Sequence, residues 1–310
     1  MTRMIRLAWL GLMLLWVLGG SIWAQELPFE NSQFSMVQGL EVHHRAWRPK
    51  GEIQGNVLLV HGFCGSTFSW RMIIDSLLAE GFLVRAVDLP PFGYSDRSPK
   101  VNHSPSFQAD LLWSLMDDLD SLPRPWHLMG HSMGGAVVGA MAARRNWQTQ
   151  RVVFVDGVVR SVGKGPKWWF RWLVGSKEAR GIANAVGKRY FFHFNRIENI
   201  LTDAYAQPPD SAAVWGYLEP LKLRGTAGGV FDLFAQVEQT FAHEAADIQV
   251  PIFIIWGDQD TWVPVEAGQQ LHQQMPESEM VVIPGAGHCP METHVAEFWR
   301  PVKEFLLGKL

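Results

Sequence analysis

Cysteine is nearly missing from this 310-residue chain: Cys64 and Cys289 are the only two. Two thiols allow at most one internal bridge, so a disulfide-built scaffold is excluded. Charge is sparse too. Charged residues make up 18% and the net charge is −3, which leaves no basic surface of the kind nucleic acid selects. Internal repeats, low-complexity tracts, a dinucleotide fingerprint and a cluster with metal-ligand spacing are all missing, so neither a cofactor nor a metal is expected. Tryptophan, by contrast, is abundant at 15 copies. The length suffices for a large buried core.

The first residues differ in character from the rest. "MTRMIRLAWLGLMLLWVLGGSIWAQELPF" places Arg3 and Arg6 before an uncharged apolar run from Leu7 to Ala24. That is the layout of a secretory signal ending at Ala24, although Ile22 stands where a small residue is usual. The run is also close to the roughly 20 residues that span a bilayer. A cleaved signal and an uncleaved anchor both stay open, so the protein is expected to be exported (periplasmic or secreted) or membrane-anchored. Residues 1–24 are set apart from the fold.

Beyond them, short apolar runs alternate with helical patterns. "NVLLVHG" (56–62), "FLVRAVDLP" (82–90), "PWHLMGH" (125–131), "RVVFVDG" (151–157), "VPIFIIWG" (250–257) and "EMVVIPG" (279–285) read as strands. Residues 67–81, 106–122, 132–145, 264–275 and about 291–307 read as helices. Continuous apolar strands between helices imply a mostly parallel, doubly wound sheet covered on both faces. "FSMVQGLEVHHRAW" (34–47) is expected to add an antiparallel pair. The alternation breaks between 159 and 246, which reads as a helical cap inserted between core parts 25–158 and 247–310.

Gly130-His131-Ser132-Met133-Gly134 is G-x-S-x-G, placed after a strand and opening a helix. That context suits a nucleophile elbow, a sharp turn that lifts the serine Oγ out of the sheet edge. A serine hydroxyl is a weak nucleophile and needs a base. Downstream, "PGAGHCPMETH" supplies His288, and "WGDQDTWVP" supplies Asp258 and Asp260. Serine, acid, histidine is the chain order an elbow requires. Asp258 as a turn cap and Asp156 as another strand-end acid remain alternatives. His294 reads as part of the last helix, His131 as elbow scaffolding, and His43 and His44 as strand residues.

With these motifs the chain resembles the α/β-hydrolase superfamily over residues 35–158 and 247–308. The resemblance implies an α/β-hydrolase fold. It selects Asp260, since Gly257, Asp260 and Pro264 match the family's G-x-x-D-x-x-x-P pattern. It assigns Ser132 as nucleophile, His288 as base and Asp260 as the acid that orients it. "LLVHGFCGS" resembles the family's oxyanion loop, which implies the backbone N–H groups of Phe63 and Met133 as oxyanion donors. "VDLPPFGYSDR" resembles the family's D-x-P-G-x-G-x-S turn, with Pro91 in place of glycine, so a local change is expected there.

Cys64 adjoins the expected oxyanion residue and Cys289 the expected histidine, so a disulfide clamping the two loops is one reading and two separate buried thiols the other. Residues 164–196 of the cap mix aromatics with Lys and Arg. A lid over an apolar substrate and contact with an anionic membrane both fit, beside ordinary packing. The expected activity is a serine hydrolase, esterase- or lipase-like, acting on a small hydrophobic ester. Carbon–carbon bond hydrolysis and cofactor-free haloperoxidase-like chemistry are alternatives on the same triad. A non-catalytic ligand-binding protein is the alternative of another class.

Overall fold

Most parallel strand-forming runs in this chain are separated by a single helical run, so short crossovers can assemble them into one sheet. The computed structural model describes residues 27–98, 101–119, 125–157, 181, 192–236 and 247–310. The chain divides into a leading unit, Met1–Glu30, and a unit Asn31–Leu310 that holds every element below. The N-terminal segment 1–24 and most of the basic aromatic stretch 164–196 lie outside the described residues. Among the described residues, no helix is long and apolar enough to cross a membrane.

In chain order the elements are β1 (Ser32–Val37), β2 (Leu40–Trp47), β3 (Gly55–Val60), a 3-10 turn (Thr67–Trp70), α1 (Ile74–Ala79), β4 (Phe82–Val87), α2 (Pro105–Leu119), β5 (Trp126–His131), α3 (Met133–Arg144) and β6 (Thr149–Val155). Among the described residues, three whole helices follow before the next strand: α4 (Phe194–Tyr205), α5 (Ser211–Leu221) and α6 (Thr226–Gln236). Then come β7 (Ile252–Gly257), α7 (Val265–Gln274), β8 (Glu279–Ile283), α8 (Pro290–Thr293) and α9 (Val295–Leu306).

The eight strands form one sheet in the order β1-β2-β4-β3-β5-β6-β7-β8. β1 and β2 are the expected antiparallel pair, β2 meets β4 antiparallel, and the rest is parallel. Alternation along the strands sorts the core into two layers. Leu58, Val60 and Leu128 face α2, α3 and α7 on one side. Val57, Leu59 and Met129 face α1, α9 and residues of α4 and α5 on the other. Strand order reverses at β3, whose successor β4 lies on one side and β5 on the other. A crevice therefore opens at the carboxyl ends of β3 and β5, where ligands bind in open α/β sheets.

Two helices differ from the periodic reading. The run 67–81 splits into the 3-10 turn and α1, because the Ser66 hydroxyl caps the Phe68 N–H at 3.2 Å and tightens the first turn. The last helix splits at His294, which is non-helical (φ −125°, ψ 52°) and bonds the Thr293 hydroxyl at 3.0 Å. His294 thus stands at a helix junction rather than inside a helix. In the 87–97 turn the Pro90–Pro91 peptide is cis.

The approach of α3 to the sheet is tight. A Cβ at Gly134 would stand 2.4 Å from the Val60 carbonyl oxygen and 2.5 Å from that of His61; at Gly130 it would stand 2.4 Å from the Gly134 oxygen. These neighbours are backbone and cannot rotate away. Gly134→Ala is expected to lower stability by about 1–3 kcal/mol, the usual cost of overpacking, read as a lower denaturation midpoint. An unchanged midpoint would mean that the α3 contact is looser than the geometry states.

Candidate active site

Ser132 occupies the single residue between β5 and α3 with φ 52° and ψ −120°, a conformation L-residues rarely hold. Such backbone costs about 1–3 kcal/mol and persists only where its surroundings impose it. Here they do: the Ser132 N–H donates to the Val155 carbonyl at 2.9 Å, and the glycine contacts fix the chain on both sides. The elbow read from the sequence is therefore present in the backbone.

Two loops bring partners to Ser132. His288 follows β8, and its Nε2 lies 2.9 Å from Ser132 Oγ. Its Nδ1 lies 2.7 Å from Asp260 Oδ2. With the ring proton on Nδ1, that nitrogen donates to the carboxylate and Nε2 accepts from the serine. Asp260 Oδ1 also accepts the N–H groups of Trp262 and Val263, at 2.8 and 2.9 Å. All three residues are buried. Asp258 is exposed and accepts the Gly285 N–H at 2.7 Å, the turn-capping role weighed above.

The backbone of His288 is held as firmly as its ring. Its N–H donates to the Ala204 carbonyl at the end of α4, at 2.6 Å. Its own carbonyl accepts from His131 Nε2 at 2.7 Å. Burial holds the His131 imidazole well below its usual pKa, so it stays neutral and serves as an N–H donor. On the facing side, His61 Nδ1 donates to the Gly62 carbonyl at 2.7 Å and Nε2 accepts the Leu89 N–H at 2.9 Å. These bonds set the loop that carries Phe63. Met133 is the first residue of α3, where N–H groups have no intrahelical acceptor and the helix dipole favours negative charge. Phe63 and Ser132 line one cavity.

That cavity is about 470 Å³ and also draws on Ile197, Leu201 and Phe231 from the helices between β6 and β7. Trp262, 44% exposed, tilts over the His288 ring with centroids 5.3 Å apart. The lining contains no Arg, Lys, Asp or Glu among the described residues.

The disulfide between Cys64 and Cys289 is not formed; both thiols are free. Both line the cavity, but Cys289 Sγ packs towards His131 Nε2 at 4.0 Å. The loops that the bridge would have joined are held instead by the His61 and His131 bonds.

Sequence reading missed two features. One is a carboxylate knot: buried Glu292, on α8, accepts from Tyr205 at 2.7 Å, from Tyr217 and from Arg71. Tyr217 also meets Ser69 Oγ at 2.9 Å. No local pattern links these residues. The other is a second Ser-His-Asp array: His43 Nδ1 is 2.7 Å from Asp88 Oδ2, and Nε2 is 2.8 Å from Ser32 Oγ. All three of its residues are buried and none lines the cavity. Asp88 is occupied further by the Thr67 and Tyr94 N–H groups. Access, not the triplet of residue types, separates the two arrays.

A family model described as alpha/beta hydrolase fold matches residues 55–295. The chain is 27% identical to a monoacylglycerol lipase of Mycolicibacterium smegmatis, covering 82% of this chain and 88% of that protein. It is 26% identical to a 2-hydroxy-6-oxononadienedioate/2-hydroxy-6-oxononatrienedioate hydrolase of Cupriavidus pinatubonensis, covering 81% and 86%. In fold it is similar to the crystal structure of a bromoperoxidase from Bacillus anthracis, with TM-score 0.70, 21% identity, and coverage of 89% and 99%.

Burial pushes the Cys64 thiol up to about 12 and the Cys289 thiol well above the usual range. Titration of the folded protein at neutral pH without reductant is therefore expected to find both thiols slow. Denaturant should release two equivalents; fewer than two would restore the bridge.

Proposed function

Because the chain belongs to the α/β-hydrolase family, we propose that it is a serine hydrolase that cleaves carboxylic esters of a hydrophobic acid or alcohol through an acyl-enzyme. The observation that carries this reading is the Ser132–His288–Asp260 array opening onto a cavity with no charged wall among the described residues.

Ser132 Oγ attacks the ester carbonyl carbon while its proton passes to His288 Nε2. The negative charge moves onto the carbonyl oxygen, where the Phe63 and Met133 N–H groups are the proposed donors. Asp260 stabilises the imidazolium without taking its proton. His288 then returns the proton to the departing alkoxide oxygen, and the C–O bond breaks. Water repeats the sequence: His288 takes its proton, hydroxide adds to the acyl carbon, and the proton returns to Ser132 Oγ as the acid leaves.

The relative acting on a dienedioate has a dicarboxylate in its printed name. Among the described residues the cavity wall offers no Arg or Lys to such a substrate, which favours the ester reading over carbon–carbon bond hydrolysis. In the same proposal, the arginines and apolar run of residues 1–24 support export or anchorage.

Fluorophosphonate labelling of the full chain with peptide mapping is the test. One adduct on Ser132 is expected, abolished in Ser132→Ala. Asp260→Asn is expected to slow ester turnover about 10⁴-fold, as loss of the orienting acid does elsewhere. Absence of any adduct on folded protein would overturn the reading and put ligand binding without turnover ahead of it.

A further inference from the structure

Asp156 is a fully buried carboxyl that the mechanism above does not use. It follows the last residue of β6 and holds φ 42°, a left-handed conformation that aspartate tolerates better than most residues. Its N–H donates to the Ile255 carbonyl at 2.9 Å, and its Oδ1 accepts the Gly257 N–H at 2.9 Å. Both bonds reach β7, the strand that leads to Asp260. One oxygen each of Asp156 and Asp260 and one ring nitrogen of His288 lie within 4.8 Å of one another. Asp156 Oδ2 is buried and receives no N–H or O–H donor.

Two carboxylates this close and this dry cannot both carry charge. The donors decide which one does. Asp260 receives three N–H groups, those of His288, Trp262 and Val263. Asp156 receives one, from Gly257. The proton therefore belongs to Asp156.

We propose that Asp156 is a neutral carboxylic acid that donates its proton towards Asp260 and so positions the acid of the Ser132 relay. This rests on the serine-hydrolase reading of the site. The direction of titration agrees: burial first, then the Asp260 charge, push Asp156 well above the usual carboxylate range. The titratable groups beside it are Asp260, His288 and the Cys289 thiol. By donating to Asp260, Asp156 draws charge away from the carboxylate that supports the imidazolium. Without it, Asp260 carries its charge undiluted, His288 holds its proton more tightly, and the acidic limb of the rate profile moves to higher pH.

The test compares full-length wild type, Asp156→Ala and Asp156→Asn by the pH dependence of fluorophosphonate labelling, together with infrared difference spectra. Asp156→Ala is expected to slow labelling about ten-fold, less than the roughly hundred-fold that a full ångström of misplacement costs, and to shift the acidic limb upward. Asp156→Asn restores a neutral N–H donor and should recover most of that rate with the limb back in place. The wild-type spectrum should show a protonated carboxyl band at neutral pH that Asp156→Asn lacks. An asparagine variant as slow as alanine at unchanged melting temperature, an alanine variant matching wild type, or a missing band would each overturn the proposal. If alanine fails to fold, asparagine and the infrared band decide. If the wild type itself fails to label, the hydrolase reading falls, and the band still decides the protonation of Asp156.

Discussion

Ser132 stands proud of the sheet because nothing larger than hydrogen fits at positions 130 and 134. The first turn of α3 lies against the backbone of β3, with the Val60 and His61 carbonyls where a Cβ would be. That contact forces the chain through a positive φ at Ser132. It also sets the depth at which α3 begins, and with it the positions of the first helical N–H groups. The loop after β3 lies beside the elbow because β3 and β5 are paired. One steric constraint thus places Ser132, the helix terminus beside it and the neighbouring loop. The many apolar contacts on both faces of the sheet keep that constraint from relaxing.

The histidine loop depends on the same frame from the other side. His131 belongs to β5 and immediately precedes Ser132, yet it donates to the His288 carbonyl. The Ala204 carbonyl of α4 takes the His288 N–H. His288 is therefore tied to the nucleophile strand by its carbonyl, to the helices between β6 and β7 by its N–H, and to β7 through Asp260. In the role proposed for it, a histidine held at three points needs little reorganisation as a proton crosses between Nε2 and Oγ, and low reorganisation is what electrostatic preorganisation requires.

Much of this was legible because it is local. Strand, elbow and helix lie within about twenty consecutive residues, and Gly130, Ser132 and Gly134 encode the turn directly. His288 and Asp260 were legible through chain order and the turns that follow β7 and β8. What could not be read depends on lateral neighbours. The pairing of Asp156 with Asp260 arises only once β6 and β7 lie in parallel register, and nothing in "VFVDG" announces a neutral acid. The Glu292 knot joins residues from four separate stretches. The split helices at 67–81 and His294 follow from single side-chain and junction effects that periodicity averages away. The sequence also offered two cysteines beside these loops with two readings open, and the structure holds the separate thiols: the loops meet through histidines instead.

The Glu292 knot bears on how substrate gets in. Tyr205 and Tyr217 come from α4 and α5, whereas Arg71 and Glu292 belong to the core. Swinging those two helices outward would strip a buried carboxylate of both phenols and leave it with Arg71 alone, a penalty of several kcal/mol in so dry a setting. This part of the roof behaves as masonry, not as a door. Among the described lining residues, exposed Trp262 is where a single side chain can turn aside without breaking a buried polar contact. Entry by rotamer change rather than domain motion would make the enzyme's selectivity a matter of cross-section as much as of chemistry.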